Sequence, residues 1–340
     1  MSSFAKPRAL YVLSSDSFNK IYGVEERRDI SKLVDISDVS YSPKDVSFDP
    51  SLLEDVEIIF SGWGGPILDS TFLSRAPKLK AFLYGAGATG GMIHREAWER
   101  GIRVTSAAKI NGIPVAEYTL AAILFSLKHA LRFMRLMHGA PFYPRKHETL
   151  PGGYGSTVAL VSLGAIGKEV TRRLKDFDLE VIVYDPFISD DEMRNLGVQR
   201  VSLEDAFFRS DVVSIHTPWL PETEGMITGA HISSMKPGAT LINTSRGAVI
   251  IEREMIEVLS EREDLTAVLD VTYPEPPENE SPLWSLPNVF LTPHIAGSVD
   301  GECRRMGAFI VEELRRYLRG EEMEGEIHPE SALHTSHRTP

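Results

Sequence analysis

The segment from Thr157 to Asp185 constrains this chain more than any other. A short apolar run, Thr157 to Ser162, leads into Gly164-Ala165-Ile166-Gly167, then a helical pattern through Leu174, then the run Glu180 to Tyr184 closed by Asp185. Strand, glycine turn, helix, strand and acid in that order form a parallel crossover unit with the turn at the carboxyl end of its first strand. Small residues there let backbone amides approach a pyrophosphate at a helix N-terminus, where the peptide dipoles favour negative charge. Gly164 and Gly167 hold the second and third positions of a G-x-G-x-x-G pattern, and Ser162, small enough for the turn, replaces the first glycine. Asp185 lies 18 residues past Gly167, where a carboxylate accepts hydrogen bonds from ribose hydroxyls and repels a 2′-phosphate. The segment points to a dinucleotide, NAD rather than NADP, held by Ser162, Gly164, Ala165, Ile166, Gly167, Asp185 and Pro186.

The same alternation of β-branched runs with helical patterns covers most of the chain, so the fold class is α/β with parallel strands. Strands are expected at Ala9 to Leu13, Glu57 to Ser61, Lys80 to Tyr84 and Arg103 to Ser106, with helices over Glu25 to Leu33 and Glu96 to Arg100. Apolar residues between Val115 and Met134 recur at helical spacing and Pro114 suits a first helical position, so one long helix is expected from Pro114 to His138. Gly139 to Gly155, with Pro141, Pro144 and Pro151, has loop composition. Six strands are then expected, at Thr157 to Ser162, Glu180 to Tyr184, Val212 to His216, Thr240 to Asn243, Ala267 to Asp270 and Val289 to Leu291. Asp178, where a helix should stop, is expected in a left-handed conformation. A helical pattern spans Asp300 to Leu318, and the acidic stretch Glu321 to Pro340 reads as a tail.

The 340 residues exceed twice the roughly 150-residue size of one domain, so two domains are expected. A net charge of -12 is the wrong sign for a partner of nucleic acid or an anionic membrane. The apolar stretch Ile113 to Leu127, broken by Glu117, falls short of the ~20 residues of a membrane span. A single cysteine, Cys303, forms no internal disulfide and offers no zinc cluster, which fits a reducing, cytoplasmic setting without a metal site.

Three further segments carry chemistry: Asn243-Thr244-Ser245-Arg246-Gly247, Asp270-Val271-Thr272-Tyr273-Pro274-Glu275-Pro276 and Thr292-Pro293-His294-Ile295-Ala296-Gly297. In that order after a dinucleotide unit they closely resemble the D-isomer-specific 2-hydroxyacid dehydrogenase family, and the similarity runs from about Arg75 to Gly320. The resemblance implies an active site of Arg246, Glu275 and His294. The roles also make independent physical sense. An arginine fork binds a 2-oxo acid's carboxylate and polarises its carbonyl. A histidine exchanges the proton as hydride moves, and a carboxylate on its far nitrogen fixes the tautomer. Glu275 stands where the related formate dehydrogenases carry glutamine, which argues against formate oxidation.

The resemblance further implies that His216, Thr217 and Pro218 pass the adenosine and ribose. Asp270 stands where the nicotinamide carboxamide is held, and Thr244, Ser245, Arg246, His294 and Gly297 line the cofactor. Gly85, Ala86, Gly87, Asn111 and Arg246 fall at substrate positions. The Gly85 loop departs from the family pattern at Ala88-Thr89-Gly90-Gly91, and Trp63 either faces the cleft or packs. The implied architecture is two Rossmann-like α/β domains, an NAD-binding domain over residues 111–299 inserted into a smaller flavodoxin-like substrate domain of residues 1–110 plus 300–340. The active site would lie between them, and a homodimer would form through the cofactor domain. The expected function is NAD-dependent interconversion of a D-2-hydroxy acid and a 2-oxo acid. The alternatives are a dedicated 3-phosphoglycerate dehydrogenase, with Lys109 as a phosphate ligand, and a non-catalytic, NAD-sensing binding protein like the co-repressors that resemble this family.

Overall fold

Successive apolar residues of the central strands divide between two clusters, one on each face of the sheet, which is what a parallel sheet covered on both faces requires. The computed structural model describes residues 5–138, 143 and 150–332. The expected loop at residues 139–142 and 144–149 and the end of the expected tail, 333–340, lie outside the described residues. The described chain divides into two compact units: the residues up to Gly112 together with those from Ser298 onward, and Ile113–Gly297.

The first unit is built on a five-stranded sheet of β1 (Ala9–Val12), β2 (Ser40–Tyr41), β3 (Ile58–Ser61), β4 (Ala81–Tyr84) and β5 (Arg103–Ser106). All neighbours are parallel, in the order β2-β1-β3-β4-β5, the flavodoxin-like arrangement. Tyr11 and Phe60 enter one core with Tyr22 and Ile310, whereas Val12 and Ile59 enter the other with Phe82 and Val104. The helix Cys303–Leu318 buries Met306, Ile310 and Leu314 on the first of these faces.

The expected tail is in part a packed element. Met323 is buried, Ile327 N donates to the Val104 carbonyl, and Glu326 pairs with Arg103. Glu313, wholly buried, accepts from the Thr105 hydroxyl and the amides of Glu324 and Gly325. The stretch expected as a tail thus supplies amide donors to the buried Glu313 and a carboxylate to Arg103.

The second unit holds seven parallel strands: β6 (Thr157–Val161), β7 (Glu180–Tyr184), β8 (Gln199–Arg200), β9 (Val212–Ile215), β10 (Thr240–Asn243), β11 (Thr266–Leu269) and β12 (Val289–Leu291). Their order is β12-β11-β10-β9-β6-β7-β8. The chain returns to the opposite side of β6 after β8, so a switch point opens beside the glycine turn. Sequence pattern gives six strands here and misses β8, a two-residue edge strand with both side chains exposed. The equally short β2 of the first sheet escapes for the same reason.

The expected single helix is two helices, Ala108–Ser126 and Ala130–Met137, bent by 64°. The break falls at His129, left-handed at φ 48°. The first begins at Ala108 and carries Pro114 in its interior, because Ser106 Oγ already accepts from Ala108 N at 3.4 Å. The division between the units falls within this helix. Asp178 keeps a negative φ; the helix before it ends earlier, at Leu174. Among the described residues no single helix is long and apolar enough to cross a membrane.

Candidate active site

The second unit gathers its chemistry along one edge of its sheet. The glycine turn follows β6, Asp185 follows β7, His216 follows β9, Arg246 follows β10, Glu275 follows β11 and His294 follows β12. Parallel strands make all of these carboxyl-terminal ends neighbours, and β10, β11 and β12 lie side by side.

At the glycine turn, Ser162 adopts φ 77°, the left-handed conformation that the usual glycine takes without strain. Its hydroxyl lies 3.0 Å from Thr217 Oγ1, which ties the turn to the loop after β9. A Cβ on Gly167 would meet the Ser162 carbonyl oxygen at 2.4 Å, so the helix Ala165–Leu174 packs on the turn only through glycine. A Cβ on Gly164 would meet nothing within 4 Å. The Cα of Gly164 therefore borders open space while that of Gly167 is closely packed, the division of labour a pyrophosphate cradle needs. The residues present fit an NAD pyrophosphate.

Asp185 is buried. Its Oδ2 accepts from Leu163 N at 2.7 Å, and its Oδ1 accepts from the amides of Phe187 and Ile188 at 2.8 and 3.1 Å. The carboxylate shapes the turn. Pro186 beside it is exposed. His216 is buried with Nε2 3.1 Å from the Ser214 hydroxyl, and burial pulls its pKa down to about 4. Pro218 follows, its carbonyl accepting from Thr223 Oγ1 at 2.5 Å.

After β10, the wholly buried Asn243 organises the next three residues. Its Oδ1 accepts from Ser245 N and Oγ, at 3.0 and 2.8 Å, while its Nδ2 donates to the Arg246 carbonyl at 3.0 Å. Thr244 is tied through its hydroxyl to Thr119, 3.1 Å away. Gly247 permits the approach of Thr272, whose carbonyl carbon would stand 2.0 Å from an added Cβ. Arg246 donates through one terminal nitrogen to the Ser245 carbonyl, and its Nε is buried without a hydrogen-bond partner. Burial lowers its pKa, opposed by the nearby Glu275 carboxylate. A partly buried guanidinium with an unpaired buried donor suits an anion.

Beyond β11 and β12, His294 Nδ1 lies 2.6 Å from Glu275 Oε1, with the side chains 40% and 23% exposed. A carboxylate only accepts, so Nδ1 carries the proton and Nε2 is left for exchange with a bound molecule. His294 sits at φ 54°, which costs an L-residue about 1–2 kcal/mol. Asp270, 2% exposed, holds that turn: its carboxylate accepts from Thr292 Oγ1 and the amides of Ile295 and Ala296, and its carbonyl accepts from His294 N. Gly297 follows directly. Asn243, Thr292 and Tyr118 are the contributors that motif reading passed over. Asn243 alone had a local signal, as an Asx residue at a strand end with serine two positions on.

In the first unit, Gly85 and Gly87 have different neighbours. A Cβ on Gly85 would meet Ile21 and the Tyr22 hydroxyl at 2.8 Å, and one on Gly87 would stand 3.1 Å from Asn111 Nδ2. Asn111 Oδ1 accepts from Ser298 N at 3.0 Å, and Ala86, between the glycines, is buried. Trp63 packs partly against both cores and also lines a hollow of about 200 Å³ with Lys20 and Asp300. Lys109 is paired with Glu324 at 2.8 Å and Lys78 with Asp55, so neither is a free cation for a phosphate.

Residues 120–296 match the model of the NAD binding domain of D-isomer specific 2-hydroxyacid dehydrogenases. A glyoxylate reductase of Korarchaeum cryptofilum is 32% identical over 272 residues, 79% of this chain and 82% of its own. A D-3-phosphoglycerate dehydrogenase of Methanocaldococcus jannaschii is 30% identical over 250 residues, 73% of this chain, and the match spans 47% of that protein, about half its length. A phosphoglycerate oxidoreductase from Rhizobium etli shares the fold at a TM-score of 0.80 and 23% identity, covering 96% of this chain and 99% of its own. With a family model matching more than half of it, the chain belongs to the D-isomer specific 2-hydroxyacid dehydrogenase family.

Proposed function

We propose that the protein interconverts a D-2-hydroxy acid and a 2-oxo acid with NAD. The observation that carries this reading is the 2.6 Å His294–Glu275 pair on loops beside a partly buried Arg246 whose buried Nε has no partner. The 162–167 turn, Asp185 and the 216–218 loop would hold NAD, which when bound would supply the chemistry of hydride transfer at substrate C2, as donor when reduced and as acceptor when oxidised. Arg246 binds the carboxylate and polarises the C2 oxygen as negative charge develops there. His294 Nε2 delivers the proton that oxygen needs, and in the oxidative direction removes it. Glu275 keeps the ring's other nitrogen protonated, which orients Nε2 and stabilises the imidazolium when it forms. Thr244, Ser245 and Gly297 complete the cofactor wall. We read the second unit as the NAD-binding domain and the first as the substrate domain, with Gly85, Ala86, Gly87, Asn111 and Trp63 as its substrate contacts.

The protein is read as a cytoplasmic homodimer. Its cysteine is a buried thiol. The helix Ala130–Met137 buries no residue, Phe125 and Met134 are half-exposed or more, and an apolar hollow of about 450 Å³ opens beside Leu124 and Phe177. A second copy covering these side chains would remove apolar surface from water. The catalytic reading is tested by NADH oxidation with glyoxylate, hydroxypyruvate, phosphohydroxypyruvate, pyruvate and branched 2-oxo acids. Turnover of at least one is expected, and turnover of none, with NADH bound, would favour the cofactor-sensing alternative.

A further inference from the structure

His294 occupies a left-handed turn, and the hydrogen bonds that fix this turn run back to a helix remote in sequence. Asp270 Oδ1 accepts from Thr292 Oγ1 at 2.6 Å and from Ile295 N at 2.8 Å, while Oδ2 accepts from Ala296 N at 2.9 Å. Thr292 Oγ1 lies 2.8 Å from the hydroxyl of Tyr118, on the helix Ala108–Ser126. Because the carboxylate only accepts, the threonine proton points at Asp270 and its oxygen must accept from the phenol. The chain of donors is therefore directed, from Tyr118 to Thr292 to Asp270. Hydrogen bonds aligned in this way polarise one another.

We propose that Tyr118 is a positioning residue for His294: its hydroxyl, acting through Thr292 and Asp270, holds residues 292–296 in the turn that presents the imidazole. Three features agree with this role. Asp270 has two backbone amides and one hydroxyl to hold and is almost fully buried, so its side chain has no alternative water partners. Burial keeps the Tyr118 phenol protonated, opposed by its bond to Thr292 and reinforced by the Asp270 charge. The phenol joins the helix Ala108–Ser126 to the loop after β12 at the same hydroxyl that donates to Asp270.

The inference rests on the reading of His294 as proton donor and acceptor, and its test separates the two. Hydrogen exchange of the Ile295 and Ala296 amides is followed in the wild type, Tyr118→Phe, Thr292→Val and Thr292→Ser, together with NADH-dependent turnover. Tyr118→Phe should accelerate exchange about fivefold, the loss of one hydrogen bond, and Thr292→Val should accelerate it more. Thr292→Ser, which keeps the hydroxyl, should retain wild-type protection. In turnover, Tyr118→Phe should lower kcat about fivefold with the KM for NADH unchanged. Faster exchange in a protein that reduces no 2-oxo acid would leave the clamp standing and overturn the catalytic reading. Wild-type exchange and wild-type kcat in Tyr118→Phe would overturn the clamp.

Discussion

At the end of β9, His216 is buried with one ring nitrogen on Ser214 and the other without a partner, so the folded protein holds it neutral. Its pKa is near 4, against an ordinary value of 6.5. The unfolded chain takes up a proton as pH falls through about 6.5 while the folded one does not, so this contribution is fully present above that value and is lost on descent toward 4. Between about pH 7.5 and about pH 5 the loss is about 2 kcal/mol. Unfolding free energies of wild type and His216→Gln from urea titrations should therefore diverge by that amount over this range; parallel losses would show that His216 is not buried as a neutral ring. At this scale the sequence singled out candidate residues but not what their atoms bind. Asp185 and Asp270 were read as ligand contacts; besides the local amides of Phe187 and Ile188, their carboxylates accept from Leu163 N, far before Asp185, and from Ile295 and Ala296 N, far after Asp270. Local pattern carries no information about such partners.

The glycine turn separates two effects that a motif merges. Gly164→Ala adds a methyl where no protein atom lies within 4 Å, at a φ of -68° that alanine adopts freely. Its thermal stability should match or slightly exceed the wild type, by up to about 1 kcal/mol, while NADH affinity falls at least about tenfold. Gly167→Ala places its methyl 2.4 Å from a backbone oxygen and should lose about 1–3 kcal/mol of stability as well as affinity. Calorimetry and NADH fluorescence titration measure both; a destabilised Gly164→Ala would contradict the open cradle. Long apolar strands and the turn itself were legible because their periodicity is local. The two-residue strands β2 and β8 were not, since so short a run has no period to read. The break at His129 was hidden too, because the apolar spacing continues across a bend that tertiary packing imposes.

For the molecule as a whole, the expectation of a nested cofactor domain came from motif placement: the glycine turn begins well inside the chain and a helical pattern remains after the last expected strand. What composition misjudged was the stretch after Gly320. Two of its glutamates, Glu324 and Glu326, pair with Lys109 and Arg103 of the first unit. Assembly is testable on the exposed apolar face of the second unit. Wild-type protein should sediment at about twice the 37.8 kDa chain mass, and Phe125→Glu with Met134→Glu should shift it toward one. A wild type that sediments as a single chain would remove the dimer. The central claim concerns proton transfer at His294, and the most direct measurement is the rate of NADH oxidation by His294→Gln against wild type on whichever 2-oxo acid the wild type reduces. A fall of about a hundredfold to ten-thousandfold, with NADH affinity retained, is predicted; an unchanged rate would contradict the account.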